Sequence, residues 1–130
     1  MTAEAPQYGT RHWPLHIHYD SASHTLRVDF DDGESFTYTA EFLRVHSPSA
    51  EVQGHAPDQR QTVPGRRYVG IMNIEPVGNY AVRLRFDDLH DTGIYSWDYL
   101  RKLGEEQDGL WRQYLDELAQ LGLSREPQRR

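Results

Sequence analysis

Four side chains able to bind a metal or move a proton crowd into the run D-D-L-H-D at 87–91, which sets Asp87, Asp88, His90 and Asp91 together. Carboxylate oxygens with an imidazole nitrogen suit zinc or another divalent ion, and the same groups serve as general acids and bases. A His-Asp doublet is also a feature of metal-dependent phosphohydrolases, where it lies within helices and is completed by distant His and Asp residues. Here the run follows an alternating, strand-like segment. Asp after a strand commonly closes an Asx-turn, so the knot is read as a turn rather than as an active site.

The other histidines are weighed the same way. His16 and His18 share one face of a strand, but two imidazoles alone do not make a zinc site, and a solvated sheet face explains them. His46, His55 and His90 could converge if the loop between them folds back, and three imidazoles suit a divalent ion with an open position. The spacing of His46 and His55 fixes no geometry, so this metal-binding reading stands as the alternative. Nucleophilic catalysis finds little support: G-x-S-x-G and cysteine are absent, while Ser47, Ser49 and Ser96 read as a helix stop and an N-cap. No phosphate-cradling glycine motif is present either.

At 130 residues the chain fits one domain, expected over 12–122 between a loose arm at 1–11 and a polar tail at 123–130. Four Phe, three Trp and eight Tyr supply large buried areas to an otherwise polar sequence. A formal net charge of -6, with dispersed arginines, argues against nucleic-acid and anionic-membrane partners. Zero cysteines exclude disulfides and Cys-ligated zinc or iron–sulfur clusters within the chain. Neither a membrane-spanning run nor a secretory signal is evident, so a cytoplasmic location is expected.

Strand patterns crowd the first third. LHIHYD (15–20) places Leu15, Ile17 and Tyr19 on one face, while HTLRVDF (24–30) and ESFTYTA (34–40) alternate after turn-forming Asp, Ser and Gly clusters. A three-stranded meander is expected. AEFLRVH (40–46) switches to a helical pattern that Pro48 stops, and 51–67 reads as the longest loop. RYVGIMNIEP (67–76) and NYAVRLRF (79–86) form a hairpin, after which Ser96 caps a helix that Gly104 can end. In the last helix Leu110, Trp111, Tyr114, Leu115, Leu118 and Leu121 make a stripe that should pack on the sheet, with Gly122 as C-cap. Strands first and helices last predict an α+β fold: a small, mostly antiparallel sheet packed with C-terminal helices.

Two segments carry a resemblance. FLRVHSPSAEVQGH (42–55) and IEPVGNYAVRLRFDDLHDTGIYSWDYL (74–100), with the strand-rich start, are similar to the DUF971 family, the gamma-butyrobetaine hydroxylase-like N-terminal domain. The likeness covers residues 12–104. In that family the domain stands alone in bacteria, precedes gamma-butyrobetaine and trimethyllysine dioxygenases, or is fused to plastid Mrp-type iron–sulfur scaffold ATPases. It is not the catalytic domain of the dioxygenases. There it binds a structural zinc through a Cys-x-Cys-x-x-Cys segment and a later histidine.

Carried onto this sequence, the cysteine positions fall on Ser47, Ser49 and Val52, and the histidine position on His90. The resemblance therefore implies that the zinc site is absent, no cofactor is held, and His90 remains as a pin bonded to the turn at 47–49. Relatives usually carry Gly where this chain has Leu89, which argues against a positive φ there. The function implied is a non-catalytic, protein-binding accessory module linked to iron–sulfur or dioxygenase assembly. Its candidate surface or pin comprises Arg44, His46, Ser47, Ser49, His90, Asp91 and Tyr95.

Overall fold

The computed structural model describes residues 12–54 and 56–128, so the expected arm at 1–11 and His55 lie outside the described residues. Strands β1 (Pro14–Asp20), β2 (Thr25–Phe30) and β3 (Ser35–Thr39) form an antiparallel meander, in that order. Helices α1 (Ala40–Val45) and α2 (Ala50–Gln53) follow, with a 3-10 turn at Pro57–Gln59. A second antiparallel sheet is built from β4 (Ile71–Val77), β5 (Ala81–Phe86) and β6 (Gly93–Ser96). Helices α3 (Trp97–Glu105) and α4 (Gln107–Leu121) complete an α+β fold. Among the described residues no helix is long and apolar enough to cross a membrane.

Alternation places the core. Leu26, Val28 and Phe30 of β2 and Val82, Leu84 and Phe86 of β5 are buried, and they meet Phe42 and Leu43 of α1 and Leu100 and Leu103 of α3. Two tyrosines bridge the layers through buried hydroxyls: Tyr38 donates to Leu100 O at 2.6 Å, and Tyr95 to Leu43 O at 2.5 Å. Each is apolar along its ring and satisfied at its tip, so burial needs no water. Ser96 caps α3, its Oγ accepting the Tyr99 N–H at 3.0 Å.

Several elements differ from the sequence expectation. Leu15 is 61% exposed because β1 carries a bulge between Pro14 and His16, which rotates it off the Ile17 face. Gly104 lies in the last turn of α3, which ends one residue later at Glu105. A methyl group there would sit 2.5 Å from Phe36 Cγ, so the glycine is a contact point for that ring. The α4 stripe divides. Tyr114 and Leu118 pack with Val45 in a second cluster, Leu110 and Trp111 reach the main core, and Leu121 is exposed. The segment read as a loose tail is tied down at its start: Gly65 N–H bonds Ser124 O at 2.9 Å, and Arg125 grips the buried Glu41 through bonds of 2.9 and 2.7 Å.

Candidate functional site

The chain leaves β5 at Phe86 and re-enters the sheet at Gly93, and the loop between them is wound tightly. Leu89 N–H bonds Phe86 O at 3.0 Å, and Phe86 N–H bonds His90 O at 2.9 Å. Asp88 Oδ1 accepts the His90 N–H at 3.2 Å, the Asx-turn that its type suggests. Its Oδ2 accepts from Arg44 Nε at 2.8 Å and from Arg66 Nε at 2.6 Å. Burial works against charge on Asp88, but the bonds from Arg44, the His90 amide and Arg66 outweigh it and hold the carboxyl below its usual range. The winding requires φ = 75° at Leu89. The expectation of a negative φ there is thus corrected: backbone and Asx hydrogen bonds impose the left-handed conformation on a leucine, at a cost of about 1 kcal/mol.

This loop turns His90 inward. Its Nε2 lies 2.8 Å from Ser47 Oγ, and its Nδ1 lies 3.0 Å from Glu51 Oε1. A carboxylate can only accept, so Nδ1 carries the proton and Nε2 accepts from the Ser47 hydroxyl. Burial, followed by the positive charge of Arg44, holds the imidazole pKa below its ordinary value despite Glu51 and Asp88, so it stays neutral at pH 7. Ser49 completes the turn: its N–H donates to Ser47 Oγ at 3.2 Å, and its Oγ shares a 2.7 Å bond with Thr92 Oγ1.

Serine, histidine and carboxylate are connected here as in an acyl-transfer triad. What is missing is room to attack. Ser47 has no exposed surface, and a methyl group at Gly93 would lie 2.5 Å from its Oγ and 3.1 Å from the Tyr95 ring. A substrate carbonyl needs about 3 Å from the nucleophile on an open side, which Gly93 and Tyr95 occupy. The arrangement joins α1, α2 and β6; it does not present a nucleophile.

His46, the residue before Ser47, faces a different environment. Its ring packs 4.5 Å from that of Phe42, and its Nδ1 lies 2.9 Å from Phe42 O, which fixes Nδ1 as the donor. Burial holds its pKa below the ordinary value. The ring borders a cavity of about 300 Å³ between the α1–α2 corner and helices α3 and α4. Tyr99 and Tyr114 also line it, their hydroxyls donating to His46 O and Val63 O at 2.6 Å each. Burial pushes both phenols up to about 12.

Of the residues singled out from the sequence, Arg44, Ser47, Ser49, His90 and Tyr95 are buried, His46 and Asp91 half-buried. A partner cannot touch Ser47 or Tyr95 without unfolding, so the surface reading is corrected for the buried members. The side chains of the D-D-L-H-D run disperse: Asp88 goes to the arginines, His90 inward, and Asp91 lies 4.0 Å from Arg85 Nε. Among the described residues, the group of three close enough to share an ion is His12, Asp31 and Asp32. There Asp32 is already bidentate with Arg101, which brings its pKa down to about 2. Sequence reasoning missed Glu51, whose signal is its place in the first turn of a helix capped by Ser49. It also missed Tyr99 and Lys102, which helical spacing places on α3 without revealing the cavity.

Residues 17–101 match the family described as gamma-butyrobetaine hydroxylase-like, N-terminal. The chain belongs to that family. Two proteins of known NMR solution structure are similar: one at 47% identity over 92% of this chain and 94% of its own, with a TM-score of 0.78. The other is 45% identical over 96% and 92%, with a TM-score of 0.79. A crystal structure of a protein of unknown function from Acidithiobacillus ferrooxidans, a DUF971 family member, is 41% identical over 70% of this chain and 91% of that one, with a TM-score of 0.60. No curated protein matches the chain.

Proposed function

We propose that this protein is a non-catalytic accessory module that docks a protein partner on the face carrying the loop at 87–92. The observation behind this reading is Leu89, which is 78% exposed while held at φ = 75°. An apolar residue that is both strained and solvated costs stability within the fold, and such costs are retained where a surface is used. Ile94, 44% exposed, extends the apolar character into β6. Exposed Glu51 and Asp87 supply negative charge nearby, while Asp91 is offset by Arg85. The partner that fits is a protein presenting an apolar anchor flanked by Lys or Arg. The closed Ser47 hydroxyl supports a role without catalysis, and the family's description as an N-terminal portion of hydroxylase-like proteins supports an accessory one. The finer assignment is to assembly of iron–sulfur or dioxygenase proteins.

Quantitative capture from native lysate with the tagged chain and its Leu89→Asp variant tests this. The account expects the same near-stoichiometric partner with the parent chain and its loss with the variant, whose unfolding transition is not weakened. A partner retained equally by both contradicts the docking face, and no stoichiometric partner at all contradicts the function.

A further inference from the structure

We propose that the cavity beside His46 binds a small organic monoanion, a ring-sized apolar body with a carboxylate at one end and a hydrogen-bond donor at the other. Its volume of about 300 Å³ is at the lower end of ligand sites. Leu103, Leu110 and the flank of Pro48 give it apolar walls. Most of its polar groups are already committed. The Tyr99 and Tyr114 hydroxyls donate to backbone carbonyls, Gln53 Nε2 donates to Ser47 O at 2.9 Å, and Gln113 Nε2 reaches Glu117 at 3.4 Å. Arg60 is neutralised by its ion pair with Glu117.

Two groups stand out, an imidazole nitrogen and an ammonium. His46 has spent Nδ1 on Phe42 O, so its Nε2 offers a lone pair, held in orientation by the Phe42 ring. Lys102 lines the cavity and its ammonium has no ion pair or hydrogen bond among the described residues. One unpaired cation matches a monoanion, whereas a phosphate dianion would keep a charge unmet. The lone pair at Nε2 then selects a hydroxyl or amide N–H at the far end. Ser47, His90 and Leu89 do not line this cavity, so the proposal does not rest on the docking face.

The test titrates 4-hydroxybenzoate, benzoate and benzylamine into the full chain and follows backbone and imidazole NMR resonances. 4-Hydroxybenzoate is expected to give saturable shifts at His46, Tyr99, Lys102 and Tyr114, with benzoate about fivefold weaker for lack of the donor. Lys102→Met changes an exposed residue and should weaken both acids about fivefold. His46→Asn keeps a donor for Phe42 O but removes Nε2, so it should erase the preference for the hydroxyl while sparing benzoate. Benzylamine should not bind. Non-saturating shifts, binding of benzylamine as strong as that of the acids, or affinities indifferent to both substitutions would overturn the proposal.

Discussion

His46 and Ser47 are adjacent in sequence, yet they serve two regions built on opposite plans. Around Ser47 the hydroxyl and the imidazole spend their valences on protein groups: Oγ on His90 and the Ser49 amide, and His90 on Ser47 and Glu51. Around His46 one imidazole nitrogen is anchored to the helix backbone, and the ring borders a cavity also lined by Lys102, which has no ion pair among the described residues. Residue type does not distinguish the two, since each is a histidine of lowered pKa among aromatic rings. Closure does. A side chain saturated by its neighbours contributes stability, and one left with a free valence and space beside it can bind.

The largest way to break the contrast is Gly93→Ala. The added methyl would fall 2.5 Å from Ser47 Oγ in a fully buried position, and we expect a loss of about 3 kcal/mol in urea unfolding. No comparable loss is expected from Lys102→Met at the rim of the open cavity. Next comes Asp88→Asn, which keeps the shape but removes the charge facing Arg44 and Arg66; about 2 kcal/mol should be lost by the same measurement.

Acid separates the two histidines further. Both have folded pKa values below their unfolded one, so the unfolded chain binds more protons. Their contribution is therefore intact at neutral pH and declines as pH falls below about 6.5 toward the folded pKa values. Urea midpoints measured between pH 7.5 and 5 should fall in the parent chain and fall less steeply in His90→Gln and in His46→Asn, each removing its own share. The smallest effect sharpens the comparison from outside. Leu89→Gly relieves the left-handed strain but adds unfolded-state entropy, for a net gain of about 0.5 kcal/mol in thermal or urea unfolding. The same change should weaken partner capture, so stability and binding move in opposite directions.

Much of this frame was legible from residue order. The meander and the hairpin follow from alternation, and the start of α3 from Ser96 with Asp98 behind it. What escaped depends on contacts distant in sequence. β6 is four residues, too short to show a period, and it exists because Val82 and Leu84 pair with Tyr95 and Gly93. The φ of Leu89 is set by bonds at Phe86, Asp88 and His90, not by its own preference. His90 and Ser47 could be marked from the family pattern, but Glu51 reaches His90 only once α2 is docked. The cavity at His46 draws on α1, α3 and α4 together, and no single segment encodes it.

The contrast between the two histidines is tested most directly by long-range imidazole proton–nitrogen NMR of the full chain, with and without 4-hydroxybenzoate. The account predicts that His90 is a neutral Nδ1–H tautomer, protected from exchange and unmoved by the ligand, while His46 shifts at Nε2. A His90 that titrates at or above the ordinary value, or that moves with the ligand while His46 stays still, would contradict it.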